Sequence, residues 1–518
     1  MAITFSILGV FFAVIIAVLH VSRKKHDQST FTAYAVGDRS FSSWFVAMAY
    51  TNSWWPGAIW TVFVGLGVAA GVLALYALVY SVLGVIAMYL IARPVWKWGK
   101  RFDLRTQSDL LALRYNGVGV KGISSSVSVL ALFPLLVLGL QAMGELIRWA
   151  SLGRLSLTTS LAIGVAVIAV RQIWTVQMGM RGLVITDMVQ GIVAYLGSAL
   201  LCIGLLVFYF HGFGGIRRLP SADLTLPGLS SPAGGWYYFS IVASGMIGSL
   251  CWPMIFVRIY TAGSVREVKK GALQTMVIGM VFYGLLILVA MAAIPFKNLV
   301  ADPNSAWFAI SQDAGGTWLL ACALLIVFAA TMGFVDGVIQ SMGTQVANDI
   351  VGAQIPLREK QEIILAKFSM MVFVILGVIV AFESYNWPNL VNLAQLAYHV
   401  IIQLAVPIFL GLVWRRGNKI AAIAGMLTGL AVAVGLAIPY FNAAGNLPWL
   451  GGIGSGLVGL AANLVVYLAC SYLFPVHAEE RDRVNELFTH ARAGTVTPQR
   501  DAIGAEVPLG RLDTPAMD

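Results

Sequence analysis

Long apolar runs joined by short polar links set the first limit on this chain. Residues 271–295 pass without one charged side chain, and residues 183–210 carry only Asp187. A helix needs about 20 apolar residues to cross the hydrocarbon of a bilayer. Thirteen runs reach or approach that length: 4–21, 42–70, 72–91, 120–150, 157–170, 183–210, 236–261, 271–295, 318–350, 368–383, 390–414, 420–439 and 453–474. Charged residues make up only 11% of the 518 residues and hydrophobic ones 59%, against roughly 25% charged in soluble domains. The sequence therefore predicts an all-α integral membrane protein with thirteen transmembrane helices.

Two of these runs are interrupted in the same way. Asn-Ser-Trp-Trp-Pro-Gly-Ala-Ile-Trp occupies residues 52–60, and Cys251-Trp252-Pro253 recurs inside the run 236–261. Proline removes a backbone donor and clashes with the preceding turn, so each helix should break there. Irregular backbone at membrane depth survives only where protein or a watered cavity satisfies it, and paired interruptions point to a binding site near the midplane. Setting aside the first run and the last two, the other ten divide into five and five, each group led by a broken helix. An odd number per group inverts the second relative to the first. The expected organisation is a first helix and loop (1–41), a five-helix repeat (42–211), an outer loop (212–235), an inverted five-helix repeat (236–414), two peripheral helices (415–474) and a polar tail (475–518), partly disordered from Ala493 onward.

The formal charge of +10 sits in short links between apolar runs, where Lys and Arg set topology, so no nucleic-acid partner is expected. Arg23, Lys24 and Lys25 follow the first run, which makes it an uncleaved span with its N-terminus outside. Only Arg148, Arg154, Arg217, Arg218 and Lys297 of the 33 basic residues then fall in outer loops, which places the C-terminus in the cytoplasm and the chain in the plasma membrane. Cys202, Cys251, Cys322 and Cys470 show no disulfide or metal spacing, and the six histidines form no ligand pair. With no nucleophile elbow, phosphate loop or haem signature, an enzyme is not expected and no organic cofactor is implied.

Several stretches resemble the solute:sodium symporter family. MRGLVITDMVQG at 180–191 is similar to a family segment around the pair Thr186-Asp187, and PMIFVRIYTAGSVREVKKGA at 253–272 to its Pro…Arg-Tyr segment. AATMGFVDGVIQSMGTQVANDI at 329–350 resembles the family's ninth span, and AVPIFLGLVWRRGNKIAAIAGMLTG at 405–429 its eleventh and twelfth. The resemblance implies solute uptake driven by an ion gradient, with sodium as the inorganic ligand and both sites beside the first helix of each repeat. Carried across, the usual sodium site takes carbonyls of Asn52, Trp55 and Ala330 and hydroxyls at two positions that are here Gly333 and Phe334. Neither has a hydroxyl. Where some members place a second hydroxyl pair beside the acid of the sixth span, this chain has Asp336 and Gly337 beside Asp187.

A carboxylate at bilayer depth is costly and is a functional candidate by default. Asp187 and Asp336 are expected to hold a shared proton, a sodium ion on stronger ligands, or the amine of a solute; the missing sodium shell favours the proton. Trp54, Trp55, Pro56, Gly57, Trp60, Trp252 and Gln395 are the expected solute contacts, with Gln403 a further polar pocket position. Arg258 with Tyr260 is read as the cytoplasmic end of the seventh span or a gate, and Glu145 with Arg148 as an outer ion pair or gate. Asp349 is read as a loop anchor and His399 as a hydrogen-bonded core residue. With no basic residue recognised at mid-depth, a neutral, zwitterionic or cationic solute is expected rather than an anion. A solute sensor that does not transport is the competing class.

Overall fold

Proline and glycine decide where the helices of this chain stop and bend. The computed structural model describes residues 1–23, 30–229, 231, 234–296, 301–384 and 390–492. Lys24, Lys25, Lys297 and the tail from Ala493, all used in the sequence expectations, lie outside the described residues. The first part comprises α1 (Ala2–Arg23), α2 (Phe31–Val36), α3 (Ser43–Trp54), α4 (Ala58–Ala70), α5 (Tyr76–Arg101), α6 (Gln107–Tyr115) and α7 (Val118–Ala150). Then come α8 (Leu157–Gly191), α9 (Gly197–Gly204) and α10 (Ser221–Leu224). The second part comprises α11 (Gly235–Ser249), α12 (Pro253–Phe256), α13 (Arg258–Thr261), α14 (Val265–Ala293), α15 (Ala306–Gln345) and α16 (Glu359–Glu383). It closes with α17 (Leu390–Ile401), α18 (Gly411–Val413), α19 (Lys419–Ala437), α20 (Ser455–Leu473) and α21 (Ala478–Arg492). A two-residue hairpin, Asn446–Leu447 with Ile453–Gly454, links α19 to α20.

Between α3 and α4, Trp55 is driven extended (φ −107°, ψ 91°), as expected of a residue before proline. Trp252 does the same before Pro253 (φ −75°, ψ 121°), and Pro253 opens α12 at a position where its missing N–H costs nothing. The axes on either side of this second break bend by 53°. Gly179 bends α8 at φ +58°, a left-handed value, and a Cβ there would lie 2.5 Å from the Tyr34 carbonyl oxygen. Gly316, at φ +59°, bends α15 near its start.

Among the described residues, ten helical stretches are long and apolar enough to cross a membrane, eleven when the bent pair Gly235–Ser249 and Pro253–Thr261 is taken as one. The stretch through α15 is 78% buried while those of α1, α16 and α20 are 28%, 22% and 28% buried. So α15 is the central post, and those three helices form the rim. The expected fifth span, 157–170, is extended by the structure: the helix continues past Arg171 to the bend at Gly179.

Candidate solute and ion site

The end of α3 delivers a polar pair into the core. Asn52 and Ser53 are fully buried on the last turn before the break. Asn52 Nδ2 donates to the Asp187 carbonyl oxygen at 3.0 Å and to its Oδ1 at 3.4 Å, joining α3 to the second half of α8. From the far side of the second break, the Arg258 guanidinium donates to Ser53 Oγ through Nε (3.1 Å) and Nη2 (2.5 Å) and reaches Asp187 Oδ2 at 3.1 Å. Arg258, in the last helical segment of the bent pair, is wholly buried and ties one broken helix to the other.

A second ion pair lies beside the first. Arg171, 1% exposed on the first half of α8, places Nη2 2.5 Å from Asp336 Oδ2 on α15. Gln172 Nε2 donates to the other oxygen, Oδ1, at 2.5 Å. The two acids therefore do not face each other bare, as the sequence suggested; each carries its own guanidinium, and the four groups sum to zero charge. The premise that no basic residue lies deep in the bundle falls with them. Arg171, Gln172, Ser53 and Gln190 escaped the sequence reading. The signal for Arg171 was present, a charge inside an otherwise apolar run, and it was taken as the end of a short span.

Gly333 and Phe334 follow Ala330 on buried α15. A Cβ on Gly333 would lie 3.0 Å from Asn52 Nδ2, 3.0 Å from Asp187 Oδ1 and 3.1 Å from the Gln190 side-chain amide, so the missing side chain is what lets α3 and α8 close here. Phe334 packs toward Gly139 of α7. Gly337 leaves room for Ser53 and Arg258, whose Oγ and Nη2 lie 3.2 and 3.7 Å from an added Cβ. Asn52 Nδ2 and the Arg258 guanidinium point donors at Asp187, while the buried Asn52 Oδ1 has no hydrogen-bond partner and is an oxygen open to a cation.

Around the first break the aromatic side chains pack into one cluster. Trp55 stacks on Phe282 (centroids 5.4 Å apart) and meets Tyr195 and Tyr283 edge-on, while Trp60 meets Phe282 at 4.8 Å. Trp54 lies between Tyr50 and Tyr80, and Trp252 at the second break meets Tyr398 at 5.1 Å. Tyr195 enters from a π-helical turn, Ile192–Leu196, next to the Asp187 helix. Trp55 Nε1 and the Tyr50 hydroxyl are buried with no hydrogen-bond partner. Gly57 is required by close approach, since a Cβ would fall 2.0 Å from Thr331 Oγ1 and 2.5 Å from the Val327 carbonyl oxygen. Pro56 is half-buried in the same turn.

Other expected residues lie elsewhere. Gln395 is exposed on α17. Glu145 and Arg148 form a partly exposed 3.8 Å pair at the end of α7. His399 Nδ1 meets Ser455 Oγ at 3.0 Å, and Gln403 Nε2 donates to the His399 and Gly456 carbonyl oxygens. Asp349 accepts from Thr106 Oγ1 (2.8 Å) and Asn348 Nδ2 (2.6 Å) and lies 3.6 Å from Lys121. Between the ion-paired centre and α6, a narrow cleft with room for little more than a water molecule is lined by Arg105, Gln107, Met180, Val257 and Gln345 among others. Burial alone would raise the Asp109 carboxyl of α6, but the Lys121 ammonium at 2.8 Å and the Arg105 backbone N–H hold it below its ordinary value.

An ion-paired centre set between two interrupted helices, inside a bundle of membrane-crossing helices, is the anatomy of a secondary transporter. The sodium:solute symporter family matches residues 34–429, and the chain belongs to that family. It is a symporter of a small organic solute and a multi-pass integral membrane protein, not an enzyme. A Bacillus subtilis symporter, YodF, is 24% identical over 90% of this chain and 92% of its own length. A sodium/pantothenate symporter of Haemophilus influenzae is 26% identical over 82% of this chain and 88% of its own, and a monocarboxylic acid transporter of Corynebacterium glutamicum 22% identical over 81% of each. Among solved structures, a Na+-coupled sialic acid symporter in its substrate-bound outward-open state superposes with TM-score 0.75 at 13% identity, covering 92% of this chain and 99% of that one. That likeness fixes the fold, a helical transporter with inverted repeats.

Proposed function

We propose that this symporter imports a small organic carboxylate with an apolar body, coupled to protons. The observation that carries the solute class is the aromatic cluster at the first break, whose buried donors, Trp55 Nε1 and the Tyr50 hydroxyl among them, are left without acceptors. Indole and phenol donors inside aromatic walls suit a carboxylate on a hydrocarbon frame. The buried arginines remove the objection to an anion, and relatives named for pantothenate and monocarboxylic acid point the same way. Trp54, Trp55, Pro56, Gly57, Trp60 and Trp252 are its proposed contacts.

For the coupling ion, Asp187 and Asp336 are the proposed groups. Oδ2 of each touches a single guanidinium, and a carboxylate oxygen with one such partner keeps a lone pair for a proton. Protonation would neutralise the carboxylate, weaken its hold on Arg258 or Arg171, and loosen the tie between the broken helices. Arg258 is then the gate residue. The second reading is sodium coupling with Asp187, Asp336 and the carbonyls of Asn52, Trp55 and Ala330 as ligands, favoured by the family's ion.

The transport path runs through thirteen spans in this reading. The stretches Ala58–Arg101 and Leu157–Tyr209 hold 44 and 53 residues, about 66 and 80 Å at ~1.5 Å per residue, where a core of ~30 Å is to be crossed. Each therefore folds back once, at Gly71 and Gly179, whereas Pro303–Val351, at 49 residues, bends at Gly316 and leaves before it a limb too short to cross. With the bent pair counted as one span, eleven becomes thirteen, arranged as two inverted five-helix repeats in the plasma membrane with the N-terminus outside. Uptake of labelled pantothenate and short monocarboxylates into proteoliposomes tests both halves. A proton gradient, inside alkaline, should drive accumulation in sodium-free buffer; accumulation that needs sodium and ignores the proton gradient refutes the proton reading.

A further inference from the structure

The surroundings of Arg171 are those of a cation site. Three oxygen-bearing side chains converge on its guanidinium. Asp336 Oδ2 lies 2.5 Å and Thr186 Oγ1 3.2 Å from Nη2, and the Gln190 side-chain oxygen, in the amide orientation that satisfies both its ends, accepts from Nη1 and Nη2 at 3.0 Å each. All four residues are at most 2% exposed. Carboxylate, hydroxyl and amide oxygens together are a hard-cation donor set. The acceptors sit on the second half of α8 and on α15, whereas the cation is delivered by the first half of α8, across the bend at Gly179. Arg171 Nε makes no hydrogen bond, so the guanidinium is held by charge and by its terminal nitrogens alone.

We propose that Arg171 is a tethered cation filling a monovalent-cation site formed by Asp336, Thr186 and Gln190, so that the chain carries in its own sequence a charge that such a pocket would otherwise draw from solution. This pocket is occupied by the chain itself. The proposal rests on the proton reading in one respect: sodium coupling through Asp336 would require Arg171 to give up that carboxylate.

Removing the guanidinium should turn the pocket into a site for a free ion. Purified Arg171→Ala is expected to melt below the parent in choline chloride and to regain several degrees, saturably, with millimolar sodium, lithium or methylguanidinium. The parent and Arg171→Lys should show no such response, and Arg171→Ala/Asp336→Ala should lose it. Equal melting of Arg171→Ala in sodium and in choline overturns the proposal, as does a response that survives in the double variant. Should Arg171→Ala fail to fold in either salt, the neutral pair Arg171→Gln/Asp336→Asn decides. Folding recovered without a cation response supports the tethered charge, and continued misfolding assigns Arg171 a packing role instead.

Discussion

At the scale of single residues, the centre is governed by charge balance and by two glycines. Removing one partner of a buried ion pair strands the other and costs about 3 to 5 kcal/mol. Asp187→Asn should therefore destabilise the protein by that order and abolish uptake, with Arg258 left facing only the Ser53 hydroxyl and Met180 Sδ; a thermal melt and a vesicle assay check it, and a variant with parental stability would deny the pair its role. The glycines should differ in cost. Gly333→Ala meets the movable ends of Asn52, Asp187 and Gln190 at 3.0 to 3.1 Å, whereas Gly57→Ala meets the Val327 backbone oxygen at 2.5 Å. Overpacking of the first kind costs about 1 to 3 kcal/mol; the second must displace α15 from the break, so Gly57→Ala should melt lower than Gly333→Ala. Asp187 and Asp336 are legible in the sequence because a carboxylate in an apolar run is costly, Asp336 above all, since it lies too deep to cap a helix while Asp187 stands near a helix start. The pairing of their arginines is not: Arg258 does stand in the last segment of its span, but nothing linear says that it turns inward to Asp187, and the apolar run ending at Val170 hides a helix that carries Arg171 on to Gly179. Linear spacing reports that a charge is present, and only the crossing of α8 with α15 says what neutralises it.

At the scale of elements, what could be read were the features that proline and apolar length impose. The breaks at Pro56 and Pro253 follow from a missing donor and a strained preceding residue, both local effects. The bend at Gly179 was hidden because a glycine within an apolar helix reads the same whether its φ is negative or positive. Helix α6 was missed for another reason: it lies outside the apolar runs and is set by capping. Thr106 Oγ1 accepts from the Asp109 N–H at 3.1 Å, and Asp109 Oδ2 accepts from the Thr106 N–H at 3.1 Å. Asp109 also pairs with Lys121 at 2.8 Å and accepts from Asn348, so one carboxylate caps α6 and anchors it to α7 and to the end of α15. Because its folded pKa lies below the ordinary 3.8, this stabilisation is present above that value and is lost as pH falls through the lower folded value. Asp109→Asn should lower Tm at neutral pH and flatten the acid limb of the stability profile below about pH 4. An acid limb unchanged from the parent would place the acid sensitivity elsewhere.

At the scale of the whole molecule, α21 straps the end of the bundle that carries α6. Trp98 Nε1 of α5 donates to the Leu487 carbonyl oxygen at 2.8 Å, and the Phe488 ring meets the Trp98 ring edge-on at 5.7 Å. Arg483 donates to the Leu113 and Arg114 carbonyl oxygens of α6 at 2.6 and 3.1 Å, and Arg415, just past α18, donates to Asn485 at 2.8 Å. Val484, Leu487, Phe488 and Ala491 form its buried face. One amphipathic helix thus fastens α5, α6 and the end of α18 to one another. Alternating access requires one part of the bundle to rock against another, and a strap joining elements of both parts should bias the equilibrium toward closure of the cleft lined by Gln107 and Gln345. Phe488→Ala deletes a buried ring that α5 rests on, a loss of about 3 kcal/mol, and the bias should fall with it. Gln345→Cys, introduced with Cys322 replaced because that thiol is exposed, supplies the readout: Phe488→Ala should raise its rate of reaction with a membrane-impermeant maleimide applied from the α6 side. A rate equal to that of the intact strap, in a protein whose Tm has dropped, would mean that α21 stabilises the fold without governing the opening of the cleft.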